Sequence, residues 1–491
     1  MVSNRVFEPG FTFVDLFAGI GGFHLALSEH GGRCVMACEI DDDCRKVYEN
    51  YFIKRKGETF QFPKDIRTLT KKNGTDELLS SKEIDKIVPD HDILCGGFPC
   101  QPFSKGGAQQ GIMDTTRGTL FQDIIQIIEA KQPKLVLLEN VRNLLGPKHK
   151  DTWRTIVKSL NTLGYFVENS PLILSPHEFK EEDGGRPQFR ERVFIIAYRL
   201  KDFHEQTSAR VRILKLLSRI KDLKITGFSG MWSPSQWDIR TYLDQDTDGK
   251  MKEYLINDNE YHYLECWNNF IERLDGYLIP SVPIWSFALQ QEPKISPETP
   301  AWERLIRERL SSFYNEHQET IDDWKSKKWG PDGMKVSDFP TSRQKFEWQA
   351  DDIPGRKLRS KKEKRSLNGL IIQLRPSGIR VKLPSYVPTL VAINQTTILG
   401  SDLWPNSGGK YRRLTPWECS KLQGIPREVF LDELGSQLVD DTKIYKQLGN
   451  AVCSSLISFV FKNINNSIDL KKEYRVEELE IIKSKFGATS E

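Results

Sequence analysis

The sequence predicts an α/β fold built on a parallel sheet, and three observations carry that expectation. Short apolar runs alternate with helix-period segments as far as about Leu200, the pattern of βα units rather than of hairpins. A glycine turn, Ala18-Gly19-Ile20-Gly21-Gly22, follows the first of those runs directly. The reactive-looking side chains stand where later runs end, at the edge where open α/β sheets bind ligands. With 491 residues the chain has room for two domains or for one domain with a large insertion. Beyond Leu200 the alternation stops, and the stretch to about Leu399 is richer in tryptophan and charge, which marks a second domain.

Taken in order, Phe11 to Phe17 reads as a buried strand, the glycine turn follows, and Phe23 to Glu29 opens a helix. Such a turn lets a ligand approach the backbone, with free N–H groups aimed at anionic oxygens. A second strand from Gly32 to Cys38 ends in Glu39, twenty positions after Gly19 and so placed for a ribose diol. The dinucleotide fingerprint asks for a third glycine, and that position holds His24. A nucleoside ligand without a pyrophosphate fits better. Asp41 to Tyr51 has helical spacing, Asp65-Ile66-Arg67 closes a short third strand, Ser80 to Ile87 is helix-like, and Asp92 to Cys95 is a fourth strand.

From that strand leaves Gly96-Gly97-Phe98-Pro99-Cys100-Gln101-Pro102-Phe103-Ser104. Pro99 and Pro102 fix local φ and remove two donors, so the loop settles into neither helix nor central strand and presents its thiol. An ordinary cysteine, with pKa near 8.5, is only about 3% ionised at pH 7, roughly 2 kcal/mol short of full activation, so a nucleophile here needs help from its neighbours. The alternative is a small buried hydrophobe. The loop runs on, polar and glycine-rich, to Gly118, as a mobile lid or an ordinary surface loop.

Thr119 to Ala130 reads as a helix and Lys134 to Leu138 as a parallel strand ending in Glu139-Asn140-Val141, where Glu139 is either a general acid or a solvated carboxylate. A helix from Trp153 to Leu163 and a strand from Tyr165 to Leu174 lead to Pro187-Gln188-Phe189-Arg190-Glu191-Arg192 and the strand Val193 to Ala197. Arg190 and Arg192 share one face of an extended chain, which suits a phosphate or a base carbonyl, or else exposed salt bridges. Thr415 and Pro416 are an N-cap and a first helical residue. An apolar helix follows Val452, and a charged tail ends the chain.

The formal charge of +4 is only mildly basic. Local clustering, above all Arg356-Lys357-Leu358-Arg359-Ser360-Lys361-Lys362-Glu363-Lys364-Arg365, points to nucleic acid. The eight cysteines form neither a CxxC pair nor a zinc-type set, so no metal is expected. The N-terminus has no apolar signal region, and no apolar run reaches membrane-spanning length, so a reducing cytoplasm is expected.

With these pieces in this order, the chain resembles the DNA (cytosine-5)-methyltransferase family of bacterial restriction-modification type. Phe13 to Gly22 looks like the family's S-adenosylmethionine motif, Pro99-Cys100-Gln101 its nucleophile motif, Glu139-Asn140-Val141 its acid motif and Gln188-x-Arg190-x-Arg192 its base-contacting motif. Arg413-Leu414-Thr415-Pro416 and Gln447-Leu448-Gly449-Asn450-Ala451-Val452 look like its two C-terminal motifs. The resemblance spans roughly residues 11–199 and 411–462.

It implies a Rossmann-like S-adenosylmethionine-dependent methyltransferase fold with a second, smaller target-recognition domain. The expected division is a catalytic domain at 1–199, target recognition at 200–440, a returning segment at 441–465 and a tail at 466–491. Catalytic roles are implied for Pro99, Cys100, Glu139, Asn140, Arg190 and Arg192. The thiolate of Cys100 would attack cytosine C6, Glu139 would bond N3 and the exocyclic amine, Arg190 would hold O2 and Arg192 would support the site. Cofactor contacts are implied for Asp15, Phe17, Gly19, Gly21, Glu39, Ile40, Asp65, Ile66, Pro102 and Asn450. Ile40 is a departure, since some members carry tryptophan there against the adenine.

The implied substrate is a specific sequence in double-stranded DNA, with the target base flipped out. A monomer is expected, cytoplasmic and nucleoid-associated, functionally paired with a cognate restriction endonuclease. A tRNA cytosine-5 methyltransferase and a catalytically silent DNA-binding protein of the same fold are the alternatives. The tRNA enzymes have a much smaller insertion than the two hundred or so residues found here.

Overall fold

The first apolar run forms β1, Thr12–Leu16, with all but its first residue buried. It lies parallel to β2, Arg33–Cys38, on one side and to β3, Ile93–Gly97, on the other. β4, Leu135–Val141, continues the parallel set beside β3. Strands covered on both faces need apolar residues at successive positions, which is why these segments read as runs and not as alternations. The chain then makes β5, Tyr165–Val167, β6, Leu172–Leu174, and β7, Arg192–Arg199; β7 runs antiparallel to β4, β5 and β6. The sheet order is β2-β1-β3-β4-β7-β5, with β6 also paired to β7. The computed structural model describes residues 7–72, 75–99, 119–202, 214, 220, 234–244, 250–350, 364–392 and 397–466.

One face of this sheet packs Val14, Leu16, Leu94, Val136 and Leu138 under helices Ser81–Ile87 and Leu120–Lys131, which contribute Ile84, Phe121, Ile124 and Ile128. Helix Gly22–Ser28 packs instead on the C-terminal helix Ser454–Asn466. Phe461 of that helix meets Phe7 and Phe11, and Asn465 exchanges two hydrogen bonds with the backbone of Phe7.

Three local expectations are corrected. No strand forms at Asp65-Ile66-Arg67. The Asp65 carboxylate accepts the Arg67 N–H, and the Asp65 carbonyl accepts the Thr68 N–H and hydroxyl, which turns the chain into the short helix Arg67–Thr70. The strand expected from Tyr165 to Leu174 is split in two, with Pro171, which has no N–H to give a ladder, in the gap. The helix beginning at Asp42 continues past Tyr48 as a π-helical stretch, Glu49–Arg55.

The chain divides into two compact units, residues 1–234 with 420–491 and residues 235–419. The expected return to the first domain was at 441. One side-chain amide bears on the earlier return: Gln188 donates to the Leu422 carbonyl and ties the segment after Ser420 to the first part of the unit, while Gln423 donates to the Leu448 carbonyl within the segment itself.

The second unit is built on a six-stranded sheet. Its strands are β8, Ile284–Trp285, β9, Lys345–Gln349, β10, Ile371–Arg375, β11, Gly378–Lys382, β12, Thr397–Leu399, and β13, Arg412–Arg413, in the order β13-β12-β10-β11-β9-β8. Phe346, Trp348, Ile372, Leu374, Ile379 and Val381 share a core with helices Asp258–Arg273, Ala301–Glu316 and Gln318–Ser326; Trp267 stacks on Phe346 with ring centroids 4.7 Å apart. The segment from Ala301 to Ser326 forms two helices, broken at His317. Thr415 caps the helix Pro416–Leu422 as expected, and the fully buried Glu418 meets Arg412 through two bonds of 2.7 and 2.8 Å. The basic run 356–365 falls outside the described residues up to position 363. Among the described residues no helix is long and apolar enough to cross a membrane, and no group of three or more His, Cys, Asp or Glu side chains is placed to hold a metal.

Candidate active site

At the C-terminal edge of β1 the backbone turns through Phe17 at φ 56°, Gly19 at φ 56° and Gly21 at φ 89°. A Cβ on Gly19 would point into open space, whereas one on Gly21 would lie 2.3 Å from the Phe52 ring. Gly19 is thus the position where the turn stays bare toward a ligand, and Gly21 the one pressed against the protein. Glu39, just past β2, accepts the Gly19 N–H at 2.8 Å with one oxygen and the Asp41 N–H at 2.7 Å with the other.

Beside this turn opens a cavity of about 1080 Å³. Of the residues expected to bind the cofactor, Phe17, Glu39, Ile40, Asp65 and Ile66 line it, and Pro99 reaches it from the end of the β3 loop. Ile40 is 56% exposed and Ile66 is buried, so an apolar wall stands next to the Glu39 carboxylate. A bare glycine, a carboxylate spaced for a diol and an apolar wall fit an adenosyl group. Asp65 is held bidentately by Arg67, with Nε at 3.0 Å from both oxygens, which keeps its carboxyl below the usual range.

Not every cofactor expectation reaches the cavity. Asp15 is fully buried behind the turn, and burial, reinforced by Glu39, pushes its carboxyl well above the usual carboxylate range. Asn450 is exposed at the end of helix Asp441–Asn450 and is not among the lining residues. Pro102 and Cys100 lie outside the described residues. The cavity also takes side chains the sequence did not single out: Lys64, Lys71, Leu120, Gln122 and Asp123. Gln122 and Asp123 are buried polar residues between the buried Phe121 and Ile124, and that mismatch was the available signal.

Glu139, Asn140, Arg190 and Arg192 come together where β4 ends and β7 begins. Arg192 Nε lies 2.8 Å from Glu139 Oε1, and both side chains are nearly buried. Burial raises the Glu139 carboxyl above its usual pKa, while Arg192 and then Arg190 pull it back. A Cβ on Gly97 would sit 3.6 Å from Glu139 Oε2, so glycine in β3 leaves that oxygen approachable. Asn140 Nδ2 donates to the Phe98 carbonyl at 2.9 Å and fixes the start of the Pro99 loop.

Arg190, expected to reach the base, is instead buried, and its Nη2 donates to the carbonyls of Gly449 at 3.0 Å and Ala451 at 2.6 Å. Next along, Val452 packs on both glycine sites: a Cβ on Gly22 would lie 2.5 Å, and one on Gly97 3.3 Å, from its methyl groups.

A Rossmann-like sheet carrying a glycine turn, an acid after the second strand and a carboxylate–arginine pair after the fourth defines an S-adenosyl-L-methionine-dependent methyltransferase. The family model for C-5 cytosine-specific DNA methylases matches residues 11–466, and the chain belongs to that family. The type II methyltransferase M.AluI of Cellulosimicrobium cellulans is 33% identical over 92% of this chain and 91% of its own length. M.HhaI of Haemophilus parahaemolyticus is 38% identical over 44% of this chain and 57% of its own, and M.HpaII of Haemophilus parainfluenzae 40% identical over 42% and 49%. The protein is a DNA (cytosine-5)-methyltransferase with S-adenosyl-L-methionine as methyl donor.

Proposed function

We propose that the protein methylates cytosine within a specific sequence of double-stranded DNA by covalent catalysis on a flipped-out base, protecting its own DNA from a cognate restriction endonuclease. The observation that carries this reading is the meeting of Glu139 with Arg192 beside Gly97, at the root of a loop whose Pro99 lines the glycine-turn cavity. Cys100 follows Pro99 directly in the sequence.

The bound cofactor supplies an electrophilic methyl group. The chain's part is to make cytosine C5 a nucleophile. The Cys100 thiolate adds to C6, and Glu139, whose carboxyl is raised above its usual pKa by burial, bonds N3 and neutralises the charge that grows on the ring. Arg192, beside Glu139, takes the base carbonyl O2, and Arg190 holds Gly449 and Ala451 in place; this reverses the roles that the motif alone implied. Glu39 takes the ribose hydroxyls, Ile40 and Ile66 the adenine faces, and Asp65 its edge. Asn140 sets the loop through Phe98. The 235–419 unit serves target recognition, and the enzyme works as a monomer in the cytoplasm, at the nucleoid.

Duplex DNA containing 5-fluorocytosine tests the thiol step, because fluorine at C5 blocks the elimination that frees the enzyme. A covalent adduct on Cys100, located by peptide mass spectrometry and lost in Cys100→Ser, is expected. Adduct formation on tRNA alone would overturn the duplex reading, and full turnover by Cys100→Ser would overturn the covalent one.

A further inference from the structure

His24 stands where a dinucleotide turn would carry its third glycine, the residue that lets helix and strand pack closely. Here the space is filled and pinned. The imidazole is fully buried, with Nδ1 2.7 Å from the Tyr48 hydroxyl and Nε2 2.8 Å from Glu58. Its face stacks on Phe52, centroids 3.8 Å apart and planes at 9°, while Phe13 and Phe60 meet it at steep angles. Phe52 comes from the π-helical stretch Glu49–Arg55, and the edge of its ring closes on Gly21. Gly21, Phe52 and His24 therefore form a column beneath the cofactor turn, and the two hydrogen bonds stop the imidazole at the bottom from rotating. With Glu58 accepting from Nε2–H, Nδ1 is left to accept from the tyrosine hydroxyl, which fixes one tautomer.

We propose that His24, held by Glu58 and Tyr48, is a positioning residue for cofactor binding: it sets through Phe52 the height at which Gly19 and Gly21 meet the nucleoside. The proposal rests on reading the glycine-turn cavity as the S-adenosyl-L-methionine site. Glu58 is the handle for testing it, because a side chain 32% exposed can be changed without emptying the core.

Isothermal titration of S-adenosyl-L-methionine into the full chain, well below its unfolding temperature, is the experiment. Glu58→Ala is expected to raise Kd about tenfold by leaving the buried Nε2–H unpaired, and Glu58→Gln, which keeps an acceptor there, to stay within about twofold of wild type. His24→Ala is expected to weaken binding at least as much as Glu58→Ala; should it fail to fold, the two Glu58 variants decide. Gly19→Val, which puts a β-branched side chain at a left-handed φ where the turn is bare, is the reference that abolishes binding. Wild-type affinity in Glu58→Ala alongside lost binding in Gly19→Val overturns the positioning role, as does equal weakening by Glu58→Ala and Glu58→Gln. Undiminished binding by Gly19→Val overturns the cavity assignment itself and this inference with it.

Discussion

Removing the guanidinium of Arg192 tests the active-site electrostatics most directly. In Arg192→Met the Glu139 carboxylate loses a partner at 2.8 Å in a setting where both side chains are at most 13% exposed. At an effective dielectric of about 20, two unit charges roughly 4 Å apart interact by about 4 kcal/mol, within the range of about 3–5 kcal/mol found when a buried pair is broken. Glu139 has one escape, which is to take up a proton, and its pKa is already raised by burial. Without Arg192 that pKa rises further.

The folded variant then keeps a proton that the unfolded chain releases near its ordinary value, so its stability falls as pH rises through the interval between the two values. The deficit relative to wild type should be small near pH 5 and reach about 3 kcal/mol near pH 8, as read from urea unfolding at both values. Methyl transfer should fall by about 10²–10³, the cost of one charge-stabilising donor. A deficit that is equal at the two pH values, or larger at pH 5, would refute the reasoning.

Gly21→Ala puts a methyl 2.3 Å from the Phe52 ring at a left-handed φ, so it should cost roughly 2 kcal/mol or more and weaken cofactor binding; an unchanged melting temperature would count against this. Asn140→Ala frees the Phe98 carbonyl and should lower stability by about 1 kcal/mol and kcat by at least about tenfold, with the cofactor KM unchanged; steady-state kinetics decide. Asp15, its pKa raised by burial, favours the folded state less as pH climbs from about 4 toward the raised value, so Asp15→Asn should flatten that loss, visible in urea midpoints from pH 4 to pH 7.

The catalytic sheet was legible because fully covered strands show as apolar runs and because glycine after β1 has few other uses. Asp65 misled because its carboxylate takes up the Arg67 N–H and its carbonyl the Thr68 N–H, which outweighs strand propensity over three residues. The i, i+2 spacing of Arg190 and Arg192 treats the two alike. It could not tell them apart, since the carbonyls that take up Arg190 belong to Gly449 and Ala451, some 260 positions away. The six-stranded sheet of the second unit escaped for a related reason: β8 and β13 have two residues each, too few to show a period, and β8 to β9 spans two helices. His24 was visible as an anomaly in a glycine pattern, but its reason lay in Phe52, Tyr48 and Glu58.

The dependence of Arg190 on Gly449 and Ala451, and of Gly22 and Gly97 on Val452, has a consequence for synthesis. A ribosome that has released the whole parallel sheet has still not made the backbone that seats the guanidinium or the valine that closes on both glycines. Half-finished chains therefore emerge with an incomplete site until helix Ser454–Asn466 has docked beside helix Gly22–Ser28.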